Sequence, residues 1–150
     1  MKKENGKKEI EKTIVGLVRL RDEFGGLLAV PGIGIVLGLT IMLEVGDIRR
    51  FREVGQYASH CRCVESIRAS NEKKTGEGNR KNGNKHLSWA YVEAANIAKR
   101  CSPAIKRYYQ KKAAGTDEIV AIKAVSHKLA RASYYVVRDH AVFEEKRLFG

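Results

Sequence analysis

With 150 residues the chain is long enough for one domain with a real core and leaves little room for a second. Its 29 Lys and Arg against 17 Asp and Glu give a formal net charge of +12, which points to a polyanionic partner, either nucleic acid or an anionic membrane surface. Cys61, Cys63 and Cys101 are an odd count without a recognisable signal peptide, which argues against a disulfide framework and for a reducing cytoplasm. One residue between Cys61 and Cys63, with no matching pair downstream, does not make a zinc site, so the thiols read as small, partly buried apolar groups.

In chain order, Met1 to Glu9 is Lys-rich without apolar periodicity and is expected to be frayed or linking. Ile10, Ile14, Leu17 and Val18 then recur at helical spacing, like the end of a longer amphipathic helix. From Leu27 to Leu43 there is no charge, and the length approaches a membrane span. Pro31, Gly32, Gly34 and Gly38 interrupt it, however, and Arg21, Asp22, Glu23, Glu44 and Asp47 close in on both sides. A buried helix-turn-helix element fits better than a span. Phe24 to Val30 predicts a short helix ended by Pro31, because the residue before proline avoids the α region. A second helix from about Gly34 is expected to carry Val36, Leu37, Leu39, Ile41 and Leu43 into the core. Gly46-Asp47 reads as a stop followed by an N-cap, and Arg52 to Cys63 as a further helix.

Ser66 to Asn84 differs in kind. Lys73, Lys74, Arg80 and Lys81 alternate with Gly76, Gly78 and Gly83, and large apolar residues are almost absent, which predicts an exposed, mobile, basic loop. Beyond it Leu87, Tyr91, Ala94, Ala98 and Cys101 follow a helical stripe. Ser102-Pro103 is an N-cap followed by proline at the first helical position, opening a helix with Ile105, Tyr108 and Tyr109 that ends near Gly115. Thr116 is expected to cap the last helix, with Asp117 and Glu118 in its first turn and Ile122, Val125, Leu129, Ala132 and Val136 as its stripe. Strand-like alternation is scarce, so the fold class is all-α.

Two segments carry chemistry. Leu28 to Gly38 matches a helix-hairpin-helix pattern, in which Gly32 and Gly34 allow a tight turn with positive φ and a close backbone approach. The amides at the start of the next helix suit a DNA phosphate and read no bases, while Gly38 lets the two helices approach. A structural α-hairpin without a ligand is the plain alternative. The second segment, Ser70 to Leu87, is a Gly-rich basic loop feeding a helix start at Asn84, built to surround a phosphodiester with amides and cations. Ser70 at its entrance is either a nucleophile, if a base or cations activate it, or a turn cap. His86 is a base, a phosphate contact or a solvated first-turn residue; Trp89 and Tyr91 read as core or interface aromatics, and His127 is given no role.

Taken in order, Val30-Pro31-Gly32-Ile33-Gly34, Leu43 to Phe51, Tyr57-Ala58-Ser59, the Ser70 loop, Lys81 to Leu87 and Glu93-Ala94-Ala95 resemble one family. This is the C-terminal domain of the IS110-type insertion-sequence transposases, the RNA-bridged serine recombinases, and the resemblance runs from about Phe24 to the end. It implies a DNA partner together with a guide RNA, and a homo-oligomer or partner transposase subunit. It also implies a serine that attacks DNA and forms a covalent phosphoserine intermediate without a nucleotide cofactor. By spacing to the family's Lys-x-Gly-Asn element that serine corresponds to Ser70, with Ser66 the fallback; many relatives have Ser-Gly where this chain has Ser70-Asn71. The implied DNA contacts are Gly32, Gly34, Lys73, Lys74, Arg80, Lys81 and Asn84. The family's divalent metal, Mg2+, belongs to an N-terminal RuvC-like domain, so no cofactor is expected in this chain.

On that reading residues 1–23 are the remnant of a connecting helix, and residues 24–150 form the transposase domain with the hairpin at 24–45. The chain is then a truncated element lacking its metal-dependent half. Two other classes stay open from the residues alone. One is a non-catalytic nucleic-acid-binding module; the other is a helical protein-interaction or membrane-surface domain.

Overall fold

The computed structural model describes residues 2–19, 22–63, 69–70, 73–74 and 83–150. It is all-α apart from one short ladder. In chain order the elements are α1 (Lys2–Arg19), α2 (Asp22–Leu28), α3 (Ile35–Val45), a 3-10 turn (Ile48–Arg50) and α4 (Val54–His60). The strands β1 (Ala69–Ser70) and β2 (Lys73–Lys74) follow, then α5 (Lys85–Cys101), α6 (Pro103–Gly115), α7 (Glu118–Asp139) and α8 (Glu145–Phe149). No helix among the described residues is long and apolar enough to cross a membrane.

The longest helix, α7, is the centre of the packing and touches α2, α4, α5 and α6. Of its predicted stripe Val125, Leu129, Ala132 and Val136 are buried and Ile122 is half-buried, while Tyr134, which lies off that stripe, is fully buried as well. The facing side of α5 is made of small residues, with Ala90, Ala94, Ala95 and Ala98 all at 0 % exposure, so neighbouring backbones come close without leaving voids. Three tyrosines fill the space between α4, α5 and α7. The Tyr57 and Tyr91 hydroxyls are 2.6 Å apart, and the Tyr134 hydroxyl donates to the Phe51 carbonyl at 3.0 Å. Burial raises the pKa of both Tyr57 and Tyr91, so the pair stays neutral and hydrogen-bonded.

Several expectations need correction. Lys2 to Glu9 is the first half of α1 rather than a frayed segment, and Ile10 and Leu17 on its stripe are 62 % and 65 % exposed. In α3, Val36 and Leu43 face outward, because the buried face runs through Leu37, Gly38, Ile41, Met42 and Val45. The helix expected over Arg52–Cys63 ends at His60. There Arg62 takes a left-handed φ of 55°, and Cys63 N–H donates to the Ala58 carbonyl at 3.0 Å, closing a Schellman turn. Asp117, not Thr116, caps α7, accepting from the Ile119 N–H at 2.6 Å, while the Thr116 hydroxyl donates back to Lys112 in α6. Cys61 is buried and Cys63 partly so, as expected, but Cys101 is exposed.

Candidate nucleic-acid interface

The turn between α2 and α3 is built as its sequence suggests, with one difference. Gly32 has φ +84°, but Gly34 is extended at φ −90°, so only the first glycine needs the left-handed region. The close approach at Gly32 is to the protein itself. A Cβ there would lie 2.0 Å from the Ala94 carbonyl oxygen and 3.1 Å from the Ala98 nitrogen, so the turn is seated on the alanine ridge of α5. Gly34 is the N-cap of α3, and no side chain accepts from the amides of the first turn. Ile35 and Val36 are 42 % and 68 % exposed, which leaves those amides and the positive end of the helix dipole open to solvent. Gly38 does bring α2 and α3 together, since a Cβ there would stand 3.0 Å from the Phe24 ring.

The basic loop is described at its two stems and at one ladder. Where it leaves α4 and returns to α5, the Asn84 N–H donates to the His60 carbonyl at 2.7 Å. Gly83 has φ +103°, and a Cβ on it would meet that same carbonyl at 2.6 Å, so the stems are clasped backbone to backbone. Asn84 then caps α5, its Oδ1 accepting from His86 N–H at 2.8 Å and Leu87 N–H at 3.0 Å. Its Nδ2 donates to Glu44 Oε2 at 2.7 Å, which ties the loop's exit to the end of α3 and leaves one amide N–H uncommitted. Within the loop, β1 and β2 pair antiparallel with Ser70 opposite Lys73 and Ala69 opposite Lys74. Ser66, Arg80 and Lys81 lie outside the described residues.

Two candidate segments are therefore fixed to opposite ends of the α3–α5 pair. The Gly32 turn sits against Ala94 and Ala98, whereas the loop is clasped at Asn84, ten residues earlier on α5. At 1.5 Å per residue that is about 15 Å of helix.

Sequence reasoning gives no role to the residues at the loop's base. Arg50 Nη2 lies 3.3 Å from His60 Nε2, and the His60 ring packs at a tilt of 47° against Phe51, with ring centres 5.1 Å apart. Because the guanidinium can only donate, His60 Nε2 is the acceptor and the neutral ring carries its proton on Nδ1. Burial, then the Arg50 charge, holds the His60 pKa below its ordinary value and keeps that state at neutral pH. Nothing in the order of residues pairs position 50 with position 60; the 3-10 turn and the short α4 do so. His86 is exposed in the first turn of α5 and His127 is half-buried on α7. Tyr91 is fully buried, but Trp89 is 50 % exposed. Among the described residues no three His, Cys, Asp or Glu side chains cluster as metal ligands would.

Comparison with known proteins converges on one group. The family described as "Transposase IS116/IS110/IS902 family" matches residues 26–110, a span that includes the α2–α3 turn, the whole basic loop and α5. The "Insertion element IS116 uncharacterized 44.8 kDa protein" of Streptomyces clavuligerus is 26 % identical over 138 residues, covering 91 % of this chain and 34 % of that protein. The "Insertion element IS110 uncharacterized 43.6 kDa protein" of Streptomyces coelicolor is 23 % identical over 121 residues, covering 80 % of this chain and 30 % of its own length. The chain thus spans about a third of the curated relatives it matches.

Proposed function

Because this chain belongs to the IS116/IS110/IS902 transposase family, we propose that it is the DNA-holding part of a transposase and carries the serine that joins protein to DNA. The family match over residues 26–110 carries this reading, since it spans both phosphate-suited segments in one stretch.

In this account the α2–α3 turn works as a helix-hairpin-helix. Gly32 fixes the turn on α5, and Gly34 with the open first-turn amides of α3 takes a backbone phosphate. Lys73, Lys74, Arg80 and Lys81 surround a second stretch of backbone. Asn84 sets the loop's exit and offers its remaining amide N–H. The ladder pairs Ser70 with Lys73, so the serine and a cation suited to stabilising a phosphorane occupy one register position.

The chemical step is transesterification. The Ser70 hydroxyl gives up its proton to a base, its oxygen attacks a DNA phosphorus, and the P–O bond to the neighbouring nucleoside breaks. The departing oxygen takes up a proton. One phosphodiester is exchanged for another, so no nucleotide is consumed, and attack by a second DNA hydroxyl reverses the step. We assign the divalent metal, the guide RNA and any partner subunit to the complete assembly.

Duplex binding as a function of salt tests the holding role. Changing Lys73, Lys74, Arg80 and Lys81 together to Gln is expected to reduce the slope of log K against log salt by about 3.6, since each phosphate contact contributes roughly 0.9. An unchanged slope and affinity would remove the loop from the interface.

A further inference from the structure

Between Glu93 and Asp117 the chain has six Lys and Arg and no acidic residue. The six are Lys99 and Arg100 at the end of α5 and Lys106, Arg107, Lys111 and Lys112 on α6. None of them takes part in an ion pair among the described residues. In α6, Ile105 is fully buried, and successive steps of about 100° place Lys106, Arg107, Gln110 and Lys111 on the opposite side, where all four are exposed. The helix is held in this orientation by its cap: Ser102 Oγ accepts from Ile105 N–H at 3.2 Å and donates to Glu145 of α8.

At its far end this face runs into a pocket of about 530 Å³ in which Tyr108, Lys111, Lys112 and Lys128 face Leu148, Phe149 and Gly150 at the end of α8. Lys128 is anchored there, its ammonium 4.5 Å from the Tyr108 ring centre and donating to the Leu148 carbonyl. Its pKa is lowered by burial first and then by the charges of Lys112 and Arg131, so like charges gather at this end.

We propose that the outer face of α6, ending in the Lys112–Lys128 pocket, is a second surface for the backbone of duplex DNA, separate from the Ser70 loop. The proposal rests on the reading of the chain as a DNA-holding domain. Its position supports it: α6 begins at the end of α5 remote from Asn84, beyond the Ala94–Ala98 ridge where the α2–α3 turn sits. With 17 residues, α5 places the start of α6 about 25 Å along its axis from the cap at Asn84. The chemistry selects the partner. The exposed positions from Lys106 to Ala114 offer no large apolar side chain to enter a lipid layer. Tyr108 and Tyr109 are half-buried, with Lys128 and Lys99 over their rings at 4.5 and 4.4 Å, so they are not free to stack on unpaired bases. What remains is spaced cations for a regular array of phosphates.

The test uses the full chain and duplex DNA, with affinity measured across salt concentrations for four proteins. They are the unaltered chain, an α6 variant (Lys106, Arg107 and Lys111 to Gln), a loop variant (Lys73 and Lys74 to Gln) and a charge-matched α1 variant (Lys3, Lys7 and Lys8 to Gln). The α6 variant is expected to lose about 2 to 3 units of slope and roughly 100-fold in affinity at 0.1 M salt, with the α1 variant close to unaltered. Loss in the loop variant alone overturns the α6 surface and leaves the DNA-holding role intact. Equal losses in the α6 and α1 variants overturn it too, because net charge then explains the effect. Failure of the unaltered chain to bind duplex at low salt overturns both readings.

Discussion

Gly32 shows what a single residue decides in this fold. Its place in a turn is legible from Pro31-Gly32, because proline ends the preceding helix and glycine accepts a positive φ. What it packs against is not, since Ala94 and Ala98 lie some sixty residues away and only the folded chain brings their backbones to it. Gly34 carries the opposite lesson: two glycines in one motif invite the same explanation, yet only the first has a positive φ. Gly32→Ala therefore combines a strained φ with a Cβ placed 2.0 Å from a carbonyl oxygen. It is expected to destabilise the protein by about 2–4 kcal/mol in urea unfolding. A midpoint within error of the parent would mean that the turn is not seated on α5. The Tyr57–Tyr91–Tyr134 cluster is equally hidden, as tyrosine spacing along the chain carries no information about which hydroxyls meet.

At the level of elements, α5, α6 and α7 are legible because their apolar residues recur at intervals of three and four. The phase of α3 is not. An almost unbroken apolar run buries well on any face, and its orientation is set by Gly38 against Phe24 and by Gly32 on α5. The stripe of α1 is legible as helical, but its Ile10 and Leu17 stay exposed because few other elements pack on that helix. The sequence marks Asn84 as a helix start and, through the family resemblance, as a DNA contact; its tie to Glu44 depends on a partner forty residues earlier. That residue caps one helix and joins it to another. Asn84→Ala is expected to cost about 1–2 kcal/mol, measured by urea or thermal unfolding, and to expose the first amides of α5 to hydrogen exchange. Retained stability with unchanged exchange at His86 and Leu87 would show that the cap is not used.

For the whole molecule, charge points to a polyanionic partner, the order of motifs narrows it through the family resemblance, and the family match covers that order from the α2–α3 turn to α5. Residue order does not reveal that the turn and the loop are clamped to opposite ends of the α3–α5 pair, nor that the cations of α6 share one face. Both depend on helix phase and on contacts between distant segments. The account rests most heavily on Ser70, which the ladder pairs with Lys73. Its decisive measurement combines the chain with the nuclease-like domain of the family, supplied in trans, and nicked or branched DNA carrying a label. Covalent protein–DNA adducts are then resolved under denaturing conditions. The account predicts an adduct with the unaltered chain and with Ser66→Ala, and none with Ser70→Ala; an adduct that survives in Ser70→Ala, or none with the unaltered chain, would contradict it.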